Sequence, residues 1–131
     1  MIKQVENLIL EAGELIKALL KEDIEISNKS AKDWVTNIDT TVEQFLVKGI
    51  KTLDPQANFL TEEQTVAFDG LENLWIIDPI DGTTNLIHQR KDFAISVARY
   101  NRSQPEFGFV YDVMANQLYF AQHGKAATLN G

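Results

Sequence analysis

An apolar run that ends abruptly in an acidic turn constrains this chain more than any other feature. Residues 74–77 are Leu-Trp-Ile-Ile, and Asp78 and Pro79 follow them. An unbroken apolar run is typical of a buried strand, because a half-buried strand would alternate. Proline has no N–H group and cannot continue a central strand, so the sequence predicts that the strand ends at Asp78. Gly82 then allows a tight turn into a short helix, with Asp81 as the predicted N-cap.

The spacing of the two aspartates in this turn suggests a metal site. On a continuous strand Asp78 and Asp81 would point to opposite faces, but a break at Pro79 lets both approach one point. The break also leaves the carbonyl of Ile80 without a ladder partner, and two carboxylates with a carbonyl oxygen suit a hard cation such as Mg²⁺. The N–H groups that begin the next helix are placed to hold a phosphate. The same residues also form a good capped turn with Asx hydrogen bonds, so a structural role stays open.

Hydrophobic periodicity predicts two amphipathic helices before this strand. Residues 3–22 and 40–53 both repeat apolar side chains at a spacing of three to four. Thr40 and Glu43 have the spacing of a capping box at the start of the second helix. Residues 29–33 between the helices are polar and are predicted to form a loop. The polar face of the first helix carries both signs of charge, which favours core packing over binding to a membrane surface.

The remainder of the chain predicts strands, and with them an α+β fold. Asn58–Leu60 is a short apolar segment before the long strand. After residue 92, three segments alternate apolar and small or polar residues and are joined by short turns, which indicates an antiparallel meander. The expected fold is therefore two N-terminal helices packed on a mainly antiparallel sheet.

Composition excludes several classes of function. The chain has 131 residues, the size of one domain, and a net charge of −7 from 12 basic and 19 acidic residues, which argues against a nucleic-acid partner. It has no cysteine, so there is no disulfide or thiolate metal site, as suits a cytoplasmic protein. Acidic residues interrupt the N-terminal apolar pattern, so no signal peptide is predicted, and no apolar stretch is long enough for a membrane span.

Other polar residues offer chemistry only in combination. Glu62 and Glu63 follow the short strand; adjacent acids are most often a solvated surface, but here they offer the third carboxylate that a metal cluster needs. Asp39 is either close to such a cluster or a favourable charge at a helix N-terminus. His88 is a candidate base or ligand, although a hard cation prefers oxygen, and His123 is predicted to lie exposed in a turn.

Residues 75–85, Trp-Ile-Ile-Asp-Pro-Ile-Asp-Gly-Thr-Thr-Asn, closely resemble the signature of the inositol monophosphatase family. The members of that family are Mg²⁺-dependent, lithium-sensitive phosphomonoesterases, and the resemblance extends over most of the chain. It implies the N-terminal half of the family's layered αβαβα fold. Residues 1–131 would then be a metal- and phosphate-binding domain, with the C-terminal half of the fold absent. The hairpin-turn signal Asn130-Gly131, with no second strand after it, suggests the same.

The resemblance also implies a set of metal ligands. These are Glu62, Asp78, the carbonyl of Ile80, and Asp81, with Mg²⁺ as the cofactor. The family usually has glycine before its two glutamates, whereas this chain has Thr61. The family draws a further metal-binding aspartate from its later half, so the 131 residues alone are expected to be a poor phosphatase.

The resemblance assigns the chemistry to the same turn. Glu62 and Thr83 are the implied catalytic residues, because they would orient the attacking water, and Asp81, Gly82 and Thr83 are the implied substrate-binding residues. Three further residues are implied near the metals without a direct role: Asp39, Glu63 and Lys29.

The function predicted is hydrolysis of a small sugar or polyol phosphate by metal-activated water. A nucleotide or a fructose bisphosphate is an alternative substrate within the family. A phosphatase that forms an aspartyl-phosphate is disfavoured, because its two aspartates are two residues apart rather than three. An alternative of another class is a non-catalytic half that folds and binds metal weakly or forms a homodimer.

Overall fold

The computed structural model describes residues 1–30 and 33–131. The part of the predicted polar loop that falls on Ala31 and Lys32 lies outside the described residues. The elements in chain order are α1 (Ile2–Leu19), β1 (Ile26–Ser30), β2 (Asp33–Thr36), α2 (Asn37–Leu53), β3 (Asn58–Thr61), β4 (Leu74–Asp81), α3 (Thr83–Gln89), β5 (Ala94–Asn101), β6 (Gln104–Asp112), β7 (Gln117–Gln122) and β8 (Thr128–Leu129).

Strands β3 to β8 form one six-stranded sheet in sequence order. The β3–β4 pair is parallel and the other four pairs are antiparallel. Helix α1 packs against α2 and β6, and α2 packs against β4. The prediction of an α+β fold with two helices on a mainly antiparallel sheet is confirmed. Among the described residues, no helix combines the length and the apolar character that a membrane crossing requires.

Helix α1 contributes the predicted apolar face to the core. Val5, Ile9, Ala12 and Ile16 are fully buried, at the spacing of one helix face. A side chain at Gly13 would put its Cβ 2.7 Å from a ring carbon of Tyr111, so the glycine is what lets α1 lie close to β6. The helix ends at Leu19 rather than at the predicted residue 22, and the amides of Lys21 and Glu22 bond three residues back in a tighter final turn.

Helix α2 begins at Asn37, three residues before the predicted start. Its N-cap is Thr36, whose hydroxyl oxygen accepts bonds from the N–H groups of Ile38 (3.1 Å) and Asp39 (3.4 Å). The Thr36 N–H in turn donates to Asp39 Oδ1 at 2.8 Å. The predicted capping box of Thr40 and Glu43 is therefore wrong, because Thr36 and Asp39 have the same spacing and form it one turn earlier.

The segment before α2 is a hairpin rather than a loop. Strands β1 and β2 pair antiparallel, with Ile26 opposite Thr36 and Asn28 opposite Trp34. All five residues of β1 are exposed, so no alternation of apolar and polar residues marked the strand in the sequence. The hairpin carries Lys29 toward the C-terminal end of β4.

Strand β4 is a largely buried strand between β3 and β5, and it runs further than predicted. Trp75 is fully buried, and its indole N–H donates to Asp54 at 3.0 Å. The strand continues through Pro79 to Asp81, because a bulge between Asp78 and Asp81 places one extra residue opposite β5. On the other side β3 has already ended, so the missing N–H of Pro79 removes no ladder hydrogen bond.

Candidate metal and phosphate site

A pocket of about 230 Å³ lies at the C-terminal end of β4. Its walls come from the β1–β2 hairpin, the residues after β3, the β4 bulge and the start of α3. The lining residues are Lys29, Asp33, Trp34, Glu62, Glu63, Asp78, Ile80, Asp81, Gly82, Thr83, Thr84 and Asn85. The structure thus brings together all the residues that the sequence assigned to metal, phosphate and catalysis.

Asp78 lies on the wall of the pocket with part of its carboxylate unsatisfied. Its Oδ1 atom is buried and has no hydrogen-bond partner among residues 1–30 and 33–131. Burial and, to a smaller extent, the neighbouring negative charges of Asp81 and Glu62 together raise the pKa of Asp78 to about 7. An unpartnered carboxylate oxygen that faces two other acids is the electrostatic setting that a cation stabilises. The donor set, carboxylates and a backbone carbonyl, fits a hard cation.

The acids of the pocket already have one cationic neighbour. Lys29 Nζ lies 2.7 Å from Glu63 Oε1 and 3.6 Å from Glu62 Oε1. Burial lowers the pKa of Lys29, but the bond to Glu63 and the charges of Glu63 and Glu62 outweigh it, so its pKa is raised. Burial raises the pKa of Glu63, although the hydrogen bond and the positive charge of Lys29 act to lower it. Within residues 1–30 and 33–131, no three acidic or histidine side chains are arranged closely enough to chelate one ion.

The start of α3 depends on Gly82. Its φ is +101°, and a Cβ there would lie 3.0 Å from the carbonyl oxygen of Asp92. Gly82 is also the N-cap of α3, which has no side-chain capping bond, so the prediction of Asp81 as the cap is wrong. The bulge holds Asp81 in the ladder opposite Ala94 instead. The glycine therefore sets where the free N–H groups of the first helical turn meet the pocket.

Asp39 lies behind the pocket and holds Thr83. The Thr83 hydroxyl donates to Asp39 Oδ2 at 2.7 Å, and the hydroxyl oxygen of Thr83 also lies 3.3 Å from the carbonyl oxygen of Ile80. Asp39 is fully buried, and its other oxygen accepts bonds from the backbone and hydroxyl of Thr36. One carboxylate thus both caps α2 and fixes a hydroxyl at the pocket wall.

Sequence reasoning assigned Glu43 to a capping box with Thr40 and missed its buried role. This residue is fully buried, and its carboxylate accepts bonds from the N–H groups of Glu63 (2.8 Å) and Thr65 (2.9 Å). A signal was available, since Glu43 stands between the apolar core positions Val42 and Leu46 on the buried side of α2. The histidines have no comparable place: His88 and His123 are both exposed, and neither lines the pocket.

Comparison with known proteins identifies the family. The sequence model of the inositol monophosphatase family matches residues 1–131, so the chain belongs to that family. It is 41% identical over 125 residues to the inositol-1-monophosphatase of Bacillus subtilis, a match that covers 93% of this chain and 47% of the relative. The chain therefore spans about half the length of this curated relative.

Solved structures show the same fold. SaIMPase-II with bound inositol monophosphate superposes with a TM-score of 0.82 at 36% identity, over 99% of this chain and 46% of that one. An IMPase/NADP phosphatase complexed with NADP and Ca²⁺ superposes with a TM-score of 0.87 at 33% identity, over 100% of this chain and 52% of that one. The fold is that of the N-terminal half of these enzymes.

Proposed function

We propose that this chain is the metal- and phosphate-binding half of a Mg²⁺-dependent phosphoric monoester hydrolase that acts on a small sugar or polyol phosphate. The observation that carries the proposal is the single pocket in which Glu62, Asp78 and Asp81 face the first turn of α3. Membership of the inositol monophosphatase family supports the reaction class. The relative with bound inositol monophosphate supports a polyol phosphate as the substrate.

The oxygen atoms of the pocket suit two adjacent metal ions. Glu62, Asp78 and the carbonyl of Ile80 would hold the first, and Asp78 and Asp81 would share the second. Mg²⁺ bound there would neutralise charge on the phosphoryl group and lower the pKa of a coordinated water. A relative with bound Ca²⁺ supports a divalent cation of this hard, oxygen-binding type.

Residues of the chain itself would bind the phosphate and orient the water. The N–H groups of Gly82 and Thr83 would donate to phosphate oxygens, since both residues line the pocket at the start of α3. Because the Thr83 hydroxyl donates its hydrogen bond to Asp39, its oxygen is left to accept a hydrogen bond from water. The Glu62 carboxylate would accept a hydrogen bond from the other O–H of the same water. The two bonds together would turn a lone pair of the water oxygen toward phosphorus.

The alternative is a non-catalytic half that folds and binds metal weakly. It is favoured by the spacing of the acids, since in the described residues no three of them are arranged to chelate one ion. It is also favoured by the ammonium group of Lys29, which already pairs with Glu63 beside the pocket. A cytoplasmic location and a homodimer stay predictions under either function.

Hydrolysis assays separate the two functions. We expect the full-length protein to release phosphate from inositol monophosphate in a Mg²⁺-dependent, lithium-inhibited reaction. The 131-residue chain should be slower by roughly a thousandfold, because a further metal ligand and a wall of the substrate pocket would be missing. Fructose bisphosphate and NADP are assayed separately as alternative substrates. A full-length protein that shows no Mg²⁺-dependent hydrolysis of any of them would exclude the proposal.

The hydroxyl of Thr83 provides a sharper test within the full-length protein. Thr83→Ala should lower kcat by about a hundredfold, because the group that orients the water is lost, while Thr83→Ser should keep most of the rate. Steady-state kinetics at saturating Mg²⁺ measures both. Thr52→Ala is the matched control, since its hydroxyl bonds only to the Lys48 carbonyl on the exposed side of α2. Equal rates for Thr83→Ala and Thr52→Ala would remove Thr83 from the mechanism.

A further inference from the structure

We propose that Glu43 is a positioning residue that fixes the acidic loop, residues 62–65, so that Glu62 faces Asp78 across the pocket. Only one part of this proposal rests on the proposed function, namely that the position of Glu62 serves metal binding. The anchoring of the loop itself is independent of the metal. Glu43 lies on α2 and does not line the pocket, so its effect on the site passes through the loop.

Glu43 makes three hydrogen bonds to the acidic loop. Oε1 accepts from the N–H of Glu63 at 2.8 Å, and Oε2 accepts from the N–H of Thr65 at 2.9 Å. The Thr65 hydroxyl also donates to Oε2, at 2.5 Å. Since bonds to an ionised carboxylate are about twice as strong as neutral ones, this one side chain is a strong anchor for a loop of four residues.

The backbone of the acidic loop is shaped around this carboxylate. Gln64 has a φ of +55°, in the left-handed region, and this places the N–H groups on either side of it toward one point. Successive amides in such a turn form a concave site for an anion, and Glu43 fills it. At its other end the loop is tied to the sheet, because the Glu62 N–H donates to the Ile77 carbonyl at 3.0 Å.

Besides Glu43 and the bond to Ile77, the loop contacts Lys29, whose Nζ lies 2.7 Å from Glu63 Oε1 and 3.4 Å from the Glu62 carbonyl oxygen. Glu62, Gln64 and Thr65 are all exposed, so apolar burial contributes little to the position of their backbone. Glu43, in contrast, is fully buried, and a buried carboxylate is tolerated only where donors satisfy its oxygens. The loop amides are those donors, so each group fixes the other.

Glu43 also links the two sides of the pocket through one helix. It lies one turn after Asp39 on α2, and residues four apart share a helix face. Asp39 holds the hydroxyl of Thr83, and Glu43 holds the loop that carries Glu62. The first residue stands at the phosphate side of the pocket and the second at the metal side, so α2 sets the distance between them.

The test uses Glu43→Gln in the 131-residue chain. Glutamine keeps the size of the side chain but turns an N–H group toward the N–H of Glu63 or Thr65, where no acceptor remains. Thr65→Ala is a second variant on the exposed loop that removes only the hydroxyl bond, which guards against a Glu43→Gln chain that does not fold. Ile9→Val is the matched control for lost stability, since it removes a core methylene group from α1.

Two measurements decide the proposal. In metal-free protein, the amides of Glu63 and Thr65 should exchange with solvent about tenfold faster or more in Glu43→Gln, with a smaller change in Thr65→Ala and none in Ile9→Val. The Kd for Mg²⁺, measured by calorimetry, should rise about ten- to a hundredfold in Glu43→Gln and stay unchanged in Ile9→Val.

Unchanged exchange at the two loop amides would overturn the proposal, and so would faster exchange with an unchanged Kd. If the unaltered chain binds no Mg²⁺ at any concentration tested, the proposed metal function of the chain fails. The exchange measurement then still decides whether Glu43 holds the loop, so the two failures are distinguishable.

Discussion

Replacing Asp78 by asparagine is expected to abolish Mg²⁺ binding and, in metal-free protein above pH 7, to increase stability. Both effects follow from the same carboxylate, which is partly buried, unpartnered at Oδ1 and faced by Asp81 and Glu62. Removal of its charge takes away the ligand that both metal positions would share, so the Kd for Mg²⁺ should rise by roughly a thousandfold. It also relieves the repulsion among the acids, by about 1 kcal/mol once solvent screening is allowed for.

The pH dependence gives this prediction a distinct signature. The pKa of Asp78 lies at about 7 in the folded chain against an ordinary value of 3.8, so between these values the folded state holds a proton that the unfolded state has lost. The metal-free chain should therefore lose stability as the pH rises from about 4 to about 7, because the unfolded state binds fewer protons there. Asp78→Asn should lack this contribution, while Mg²⁺ should stabilise the unaltered chain more at high pH than at low pH.

Thermal unfolding of the two proteins from pH 4 to pH 9, with and without Mg²⁺, measures all of these effects. Asp69→Asn is the matched control, since Asp69 is exposed and does not line the pocket. An Asp78→Asn chain that still gains stability from Mg²⁺ as the unaltered chain does would show that Asp78 is not a ligand.

Gly82→Ala should destabilise the chain by about 3 kcal/mol. Part of that is strain, because a φ of +101° is costly for any residue with a Cβ. The remainder comes from the 3.0 Å approach of that Cβ to the carbonyl oxygen of Asp92, where two backbone segments would have to separate. The start of α3 would move with them, so Mg²⁺ and phosphate binding should weaken together.

Gly124→Ala separates the two parts of this effect. Gly124 also has a positive φ, of +79°, but no atom lies within 4 Å of the added Cβ. It should therefore cost about 1 kcal/mol, from backbone strain alone. Denaturant unfolding of both variants measures the loss of stability at each position. Equal losses in the free energy of unfolding would mean that the approach to Asp92 does not contribute to the destabilisation.

The sequence predicted the fold where periodic apolar residues determine it. The buried run that ends at Ile77 and the apolar face of α1 each have a period that permits a single interpretation, and both elements form as expected. The metal, phosphate and catalytic residues were assigned by resemblance to the family, from the long signature and from Glu62, and they line one pocket. Asp78 and Asp81 line the same pocket, but the proposed cause was wrong, since a bulge and not the end of the strand re-aims the chain.

The features that sequence reasoning missed depend on tertiary partners. Thr36 and Thr40 offer equivalent capping boxes, and only the exit of the chain from β2 decides between them. Strand β1 has no buried residue and is held by its backbone bonds to β2, which leave no pattern in composition. Glu43 is a carboxylate in the core, and the N–H groups that donate to its oxygens belong to a loop about twenty residues further along the chain.

The connectivity of the sheet has a consequence for the order of folding. Tyr100 pairs with Pro105 and Asp112 with Gln117, so the meander from β5 to β7 closes over short turns at little entropic cost. Phe59 pairs with Trp75 only after the connection between β3 and β4 has been closed. Because Glu62 follows β3 and Asp78 lies on β4, the pocket is completed in that slower step. In stopped-flow refolding, competence to bind Mg²⁺ should therefore appear after the meander has formed, and metal binding before any strand pairing would contradict this order.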